Sequence, residues 1–402
     1  MKRDAPAKLA LLLISSALYV LVFEGVVRVF IKPSPLSYGT LLGRELPPVR
    51  VIPAPASPES AKPVGDGDPE AIGPADLQGV FREDPLLGYA PLERATSPHG
   101  WWIANNIGAR SATDTSPQTA QGRRRILVFG ESFASGSRVH QEDAWPAVLA
   151  ARNADLEVVN LAVDGYGMGQ SLLRFRETTR SIDYDVAMLV FVPTVDLWRD
   201  INTIRSLARS SWNSYTVMPR FVVEEGRLTL VKSPYEIGSE VYGDNALGLG
   251  ETLRRHLRAY DRFYCRTRHE SVPLIGNLVL WKVVATVYFT HERAELLRSM
   301  SAGRVDLDSE AMQVSRKIFQ AMQGEVHATG KRFVLVILPE HHGLRKIQGS
   351  ARSAQNWQRL VATVCEGDRQ CIDVTPALLR VPPEALDRGY DKTHYCPVPE
   401  IR

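Results

Sequence analysis

A short apolar run, a glycine turn and a serine constrain the fold of this chain more than any other feature. Residues 126–129 read Ile-Leu-Val-Phe, the chain then reaches Gly130, and Ser132 follows two residues later. An apolar run of this length that ends at a turn is typical of a buried strand in a parallel sheet. Open α/β sheets bind their ligands beyond the carboxyl ends of the strands. The sequence therefore predicts that Ser132 lies at the functional edge of such a sheet.

Four later apolar segments repeat this pattern and alternate with helical segments. The further predicted strands are residues 156–162, 186–192, 333–338 and 371–374. The predicted helices are residues 144–152, 169–181 and 309–327. Strands that alternate with helices form right-handed β-α-β units, which build a parallel sheet. The predicted fold class is therefore α/β with a central parallel sheet.

The amino terminus carries a targeting signal. Basic residues among the first eight positions precede an apolar run over 9–23, which extends to residue 30 with Glu24 and Arg28 near its outer end. The extended run is long enough to span a bilayer. No small-x-small cleavage site follows the apolar core, which favours an uncleaved anchor over the alternative of a cleaved signal peptide. Because the basic residues precede the helix, we expect a cytoplasmic amino terminus and an exported body.

A proline-rich stretch separates this anchor from the body of the chain. Six prolines stand among alanines and serines between residues 47 and 63, a composition typical of an extended linker. The predicted bounds are 1–31 for the anchor, 32–83 for the Pro/Ala-rich linker and 84–402 for one domain, with its core at 123–200 and 330–402 and an insertion at 201–329. Within the insertion, Lys282 interrupts an apolar segment, which favours a buried or lid helix over a second membrane span.

The overall composition argues against several kinds of partner. The chain has 48 basic and 45 acidic residues, so its net charge of +3 gives no electrostatic argument for nucleic acid. No cysteine and histidine cluster has the spacing of a zinc site, and we expect neither a metal nor a cofactor. Cys365 and Cys371 are six residues apart. They form either a small disulfide in an oxidising compartment or two free thiols.

A second pair of polar residues near the carboxyl terminus suits the predicted serine. Serine is a weak nucleophile until a base takes its proton, and the base is usually a histidine that a carboxylate orients. Asp391 and His394 are three residues apart, so their side chains can meet within one helical turn. This segment follows the fifth predicted strand and so reaches the same edge of the sheet as Ser132. His341 and His342, after the fourth strand, are a rival base or pocket pair.

These motifs resemble those of the SGNH/GDSL hydrolase family, of the membrane-anchored bacterial type. Residues 130–132 match its nucleophile block, with Glu131 in place of the usual aspartate. Residues 160–167 match its second block, residues 191–196 occupy the third, and residues 391–394 match its Asp-x-x-His block.

The resemblance implies a three-layer α/β/α (flavodoxin-like) fold and a serine esterase or deacylase. Ser132 would be the nucleophile, His394 the base and Asp391 the residue that orients it, while the backbone N–H groups of Ser132 and Gly165 would form the oxyanion hole. Val195 stands where the family has an oxyanion asparagine, and valine has no donor. Thr194 and Asn202 are candidate substitutes. The motif differs from the α/β-hydrolase nucleophile elbow, which has a glycine where this chain has Ala134.

The expected substrate is an acyl ester, with O-acetyl groups of an envelope glycan as one candidate. Two alternatives remain: an O-acyltransferase on the same site, and a catalytically weak or inactive glycan-binding or scaffold protein, which Val195 motivates. The expected location is the inner (cytoplasmic) membrane, with a single-pass anchor and the catalytic domain on the periplasmic side.

Overall fold

The structure, a computed structural model, describes residues 5–34, 37–49, 79–97, 100–137, 139–208, 217–234, 250–301, 303–367 and 369–382. Its strands are β1 (Ser37–Leu41), β2 (Arg44–Val49), β3 (Phe81–Asp84), β4 (Gly88–Pro91), β5 (Arg124–Phe129), β6 (Leu156–Asn160), β7 (Val186–Phe191), β8 (Arg220–Glu224), β9 (Arg227–Val231), β10 (Arg332–Ile337) and β11 (Gln370–Asp373). Its helices are α1 (Ala5–Val29), α2 (Ser132–Ser135), α3 (Trp145–Arg152), α4 (Met168–Thr178), α5 (Pro193–Asp200), α6 (Arg205–Ala208), α7 (Glu251–Tyr260), α8 (Arg266–His269), α9 (Val279–Arg298), α10 (Glu310–Ala328), α11 (His341–Gly349), α12 (Ala351–Val364) and α13 (Thr375–Leu378).

The chain divides into two compact units. The anchor unit comprises Met1–Pro55 and Glu240–Leu296, and the sheet unit comprises Ala56–Ser239 and Leu297–Arg402. The predicted insertion at 201–329 is therefore not one body, because its middle part belongs to the anchor unit and its two ends to the sheet unit.

The sheet unit is built on a five-stranded parallel sheet in the order β11-β10-β7-β5-β6. Numbered along the chain, this order is 2-1-3-4-5, the flavodoxin-like arrangement. The predicted α/β class with a central parallel sheet is confirmed, and the five predicted strands agree with the observed ones to within two residues at either end. The strand order reverses between β5 and β7, which opens a crevice at their carboxyl ends.

Helices cover both faces of this sheet. The connection from β5 to β6 runs in the opposite direction to the later connections, and right-handed crossovers therefore place α3 on one face and α4 and α10 on the other. On the α3 face, Trp145 packs against a buried cluster that includes Ile126, Val128 and Val190. On the other face α10 contacts both α4 and α5. The predicted helices correspond to α3, α4 and α10, although α4 ends at Thr178, before the predicted residue 181.

A disulfide closes one side of the sheet unit. Cys365 at the end of α12 is bonded to Cys371 in β11, with a Cα–Cα distance of 5.8 Å. Of the two alternatives for these cysteines, the structure therefore has the bonded pair.

The anchor unit corrects the predicted linker. β1 and β2 form an antiparallel hairpin around Leu42 and Gly43, so the linker prediction for residues 32–83 was wrong over this part. The hairpin is stabilised by α9, whose Lys282 Nζ donates to the carbonyl oxygen of Pro47 over 2.9 Å. The prolines suggested an extended linker, but contacts with the packed helix α9 stabilise this segment as a hairpin. Residues 35–36 and 50–78 of the predicted linker lie outside the described residues.

The anchor unit also contains the predicted amino-terminal helix. Residues Lys8–Val29 of α1 are long and apolar enough to cross a membrane, judged by length and composition. Lys282 is buried, as expected for a packed helix rather than a second span.

Candidate active site at the carboxyl edge of the sheet

Ser132 follows β5 at the point where the strand order reverses. The turn before it depends on Gly130, whose φ is 146°. A Cβ atom at this residue would lie 2.6 Å from the Cβ of Ala134 and 3.1 Å from the carbonyl oxygen of Val190 on β7. Any side chain here would therefore push the strands or α2 apart, so the turn requires glycine. The turn places Ser132 at the first position of α2, beside the end of β7.

The carboxylate of Glu131 holds the Ser132 hydroxyl. Ser132 Oγ donates to Glu131 Oε2 over 2.6 Å, and the backbone N–H of Phe133 donates to Glu131 Oε1 over 3.0 Å. Glu131 is fully buried and caps α2. An O–H donor to an ionised carboxylate at this distance makes a strong, charge-assisted hydrogen bond. In this state the hydroxyl is oriented by its own sequence neighbour.

A buried cluster of charges surrounds this carboxylate. Arg199 Nη1 on α5 lies 3.4 Å from Glu131 Oε2 and donates to the carbonyl oxygen of Tyr166 over 3.0 Å. Asp196, one turn earlier on α5, is buried, and its Oδ2 accepts from the backbone N–H of Val192 over 2.7 Å. Its Oδ1 has no hydrogen-bond partner among the described residues.

This cluster shifts the protonation of Asp196. Burial raises the pKa of Asp196 well above its ordinary value, and the negative charge of Glu131 adds to this effect while Arg199 opposes it. Carboxyl groups whose pKa is raised by burial and by a neighbouring charge are concentrated at functional sites. The sequence named Asp196 and Glu131 only through their motif positions and missed Arg199, which is distant in the chain from Ser132.

The loop that carries Gly165 is fixed against α2. Gly165 has φ of 85°, and it follows Asp164, whose carboxylate accepts hydrogen bonds from the hydroxyls of Ser135 and Ser137. The backbone N–H of Val163 donates to the carbonyl oxygen of Gly130 over 3.1 Å. The second predicted block therefore lies beside the nucleophile turn. The oxyanion role of Gly165 stays a prediction.

At residue 195, the third motif block has an apolar side chain that packs in the core and has no hydrogen-bond donor. Val195 belongs to the apolar cluster that contains Phe133 and Ala134 of α2. The two candidate substitutes donate elsewhere: Thr194 Oγ1 to Glu340 Oε2 over 2.8 Å, and Asn202 Nδ2 to the carbonyl oxygen of Ile204 over 2.8 Å. Among the described side chains of this block, we therefore identify no replacement for the family's asparagine.

Arg110 stabilises the segment after the serine, a role that no sequence motif indicated. Its Nη1 donates to the carbonyl oxygens of Ser135 at 2.7 Å and Gly136 at 2.5 Å. Asn160 Nδ2 at the end of β6 donates to the same Ser135 oxygen over 3.0 Å. Burial lowers the pKa of Arg110 to about 10, so the guanidinium keeps its charge at neutral pH. A lone arginine in a loop has no local pattern that reveals such long-range contacts.

The predicted base and its partner lie outside the described residues. These two residues are His394 and Asp391. The rival pair is placed: His341 begins α11 and is buried, and His342 is exposed. Glu340, which caps α11, accepts the Thr194 hydrogen bond from the first turn of α5. The rival pair therefore lies at the same carboxyl edge, beside the helix that carries Arg199.

A surface cavity of about 390 Å³ lies away from this site. It is lined by residues of α4 and α10 and by residues that precede β7 and β10, among them Arg176, Tyr184 and Glu325. Residues before these strands mark the amino edge of the sheet, opposite to Ser132. Arg176 is paired with Glu325 through Nη2 at 2.6 Å, so its charge is already matched.

Comparison with known proteins gives little beyond this geometry. No family model matches the chain, and no curated protein matches it. One solved structure to which the chain is similar is LAE5, an alpha/beta hydrolase enzyme from the metagenome of Lake Arreo, Spain. The two are 12% identical with a TM-score of 0.33, over 68% of this chain and 88% of that one. A likeness of this extent carries no argument about fold or chemistry, so the fold is assigned from its own strand order.

Proposed function

We propose that this protein is a membrane-anchored serine esterase or deacylase of the SGNH type. The observation that carries the proposal is the place of Ser132, at the reversal of strand order, with its hydroxyl bonded to a buried carboxylate. A glycine that no other residue can replace presents this serine. The proposed substrate is an acyl ester, and O-acetyl groups of an envelope glycan are the candidate we would test first.

In the proposed mechanism, Ser132 Oγ attacks the ester carbonyl carbon while His394 takes its proton. Asp391 orients His394 and stabilises the imidazolium. Backbone N–H groups of Ser132 and Gly165 stabilise the oxyanion of the tetrahedral intermediate. The intermediate then expels the alcohol, which receives its proton from His394, and water releases the acyl group from Ser132. A sugar hydroxyl in place of that water would make the enzyme an O-acyltransferase.

Glu131 gives this mechanism a defined resting state. Its carboxylate accepts the Ser132 hydroxyl proton in the observed structure, so the hydroxyl must turn away from Glu131 before His394 can accept that proton.

The contacts of α1 support an uncleaved anchor. Glu24 is buried, and its Oε1 accepts from the backbone N–H of Leu280 in α9 over 2.8 Å. Cleavage of α1 would remove a residue that the anchor unit uses to hold α9. The disulfide between Cys365 and Cys371 supports an oxidising compartment, and we propose a single-pass protein of the inner membrane with its sheet unit in the periplasm.

A second candidate is a non-catalytic glycan-binding or scaffold protein. Val195 favours it, because the residue packs into the apolar cluster and has no donor to offer. The loss of one oxyanion donor typically lowers kcat by about 10²–10³. A slow enzyme and an inactive binding protein therefore differ in whether Ser132 reacts at all.

A fluorophosphonate probe separates the two candidates. Full-length protein in detergent is treated with the probe, beside Ser132→Ala and the control variant Ser181→Ala, which changes an exposed serine after α4. The proposal expects labelling of the native protein and of the control, and none of Ser132→Ala. Failure of the native protein to react, combined with retention on an acetylated glycan, would favour the binding protein.

A further inference from the structure

A loop just before α9 exposes apolar side chains. Over residues 273–278, Leu274 is 91% exposed, and Ile275 and Leu278 are exposed as well. Leu274 has φ of 64°, a backbone conformation that is costly for a residue with a branched side chain. Apolar residues scattered singly on a surface are ordinary, but three within five positions form a patch that needs an explanation.

The start of α9 lies beside the carboxyl-terminal part of α1. The backbone N–H of Leu280 donates to Glu24 Oε1 over 2.8 Å. Glu24 precedes Val29, the last residue of the apolar helix, by five positions. At a rise of about 1.5 Å per residue, this is roughly 8 Å of helix. The amino end of α9 therefore lies at the depth where the apolar span approaches the bilayer surface.

The direction of α9 follows from its contacts with the hairpin. Lys282 contacts Pro47, and two turns later Thr290 Oγ1 lies 3.5 Å from Arg44 Nη1, next to the hairpin turn. Beyond the end of α1, Lys32 pairs with Thr40, which is also close to that turn. The turn therefore lies on the side where α1 leaves the bilayer. Because α9 runs toward the turn, its preceding loop is at the opposite, membrane-facing end.

We propose that the loop at 273–278 inserts Leu274 into the bilayer beside α1. The lipid of the leaflet that α1 leaves then covers the exposed patch, because the patch is continuous with the membrane-spanning helix. Trp281 follows the loop, and tryptophan is enriched at membrane–water interfaces. A second contact would stop the anchor unit from rotating about α1. The inference rests on the proposed function only in that α1 is the anchor.

The test uses full-length protein in lipid nanodiscs with one copy per disc. Cys265 and Cys396 are replaced by serine, and a cysteine labelled with the environment-sensitive fluorophore NBD is introduced as Leu274→Cys. The matched control is Leu42→Cys at the hairpin turn, because Leu42 is 93% exposed and also has a positive φ, of 50°. A third variant, Leu18→Cys, reports on α1 itself. Quenching is measured with doxyl-labelled lipid and with iodide in the water.

The inference expects doxyl lipid to quench NBD at residue 274 severalfold more than at residue 42, and iodide to show the reverse order. Iodide quenching at residue 274 equal to that at residue 42 would overturn it, and so would protection from both quenchers, which indicates a protein partner or a second copy. If NBD at residue 18 escapes doxyl lipid, the anchor itself is wrong. If residue 18 is quenched but residue 274 is not, only the loop insertion fails.

Discussion

The two units bury charged side chains in different ways. In the anchor unit, the buried side chains of Glu24 and Lys282 each have partners of their own: Glu24 accepts from Leu280 and from Arg28, and Lys282 donates to Pro47 while its Nζ lies 4.1 Å from the centre of the Tyr38 ring. In the sheet unit, the two carboxyl groups of Glu131 and Asp196 are buried near the guanidinium of Arg199.

This difference distinguishes buried charges that stabilise the fold from buried charges that serve a function. In the anchor unit, hydrogen bonds and a ring contact satisfy Glu24 and Lys282 and hold helix and hairpin together. An excess of buried carboxyl groups raises a pKa and costs stability, and such arrangements persist chiefly where chemistry uses them. We call the group of Glu131, Asp196 and Arg199 the unmatched cluster. It lies against Ser132, which supports the proposed site on grounds independent of motif resemblance.

The largest expected effect is the removal of the cation from the unmatched cluster. Arg199→Met leaves the carboxylate of Glu131 buried without its charged partner, which typically costs about 3–5 kcal/mol. The measurement is hydrogen exchange of the amides of β5, in full-length protein in detergent. The control is the double variant with Glu131→Gln, which removes the unpaired charge and should recover a large part of the loss. Equal losses in the single and double variants would contradict the charge account.

A second prediction concerns pH and Asp200, at the carboxyl end of α5. Burial raises the pKa of Asp200 to about 6, although hydrogen bonds from Gly169 and Ser315 favour its ionised form. Since the folded state holds this proton more tightly than the unfolded one, the free energy of unfolding falls as the pH rises from about 4 through 6, by about 3 kcal/mol when complete.

Asp200→Asn should remove this part of the fall, as denaturant unfolding between pH 4 and 8 would show. Asp183→Asn is the control, because its hydrogen bond from Lys331 lowers the pKa of Asp183 and gives the opposite sign. A fall of unchanged size in Asp200→Asn would show that this carboxyl is not the group that titrates.

The smallest expected effect is in the matched cluster of the anchor unit. Lys282→Met removes the donor to the Pro47 carbonyl but leaves no buried charge without a partner, so we expect a loss of about 1–2 kcal/mol. Hydrogen exchange of the α9 amides measures it locally. A loss as large as that of Arg199→Met would end the distinction between the two clusters.

The parallel sheet was predictable because its strands are short, apolar and separated by helices. The Gly130 turn was predictable for the same reason, since a glycine directly after a buried strand marks a sharp change of direction. The hairpin of β1 and β2 was missed because Pro47 and Pro48 suggested a linker. The hairpin of β8 and β9 was also missed, although Glu225 and Gly226 form a recognisable turn between two β-rich runs.

The cluster around Ser132 was only partly predictable. The motif pointed to Ser132, Gly165 and residues near 196, because these follow strands that meet at one edge. Glu131 precedes Ser132 directly, but its hydrogen bond to the hydroxyl depends on the geometry of the turn, and the contacts of Arg199 and Arg110 join segments that are distant in the chain. No local pattern encodes such contacts, and the sequence alone could not rank these residues. The roles of Asp391 and His394 stay predictions from sequence.

The most direct test of the account is whether Ser132 becomes acylated. Full-length protein is mixed with p-nitrophenyl acetate, quenched with acid at short times and digested, and the peptide that contains Ser132 is analysed by mass spectrometry. The account predicts an acetyl group on Ser132 in the native protein and in Ser181→Ala, with no turnover by Ser132→Ala. Turnover that continues undiminished in Ser132→Ala, without an adduct on this peptide in the native protein, would contradict it.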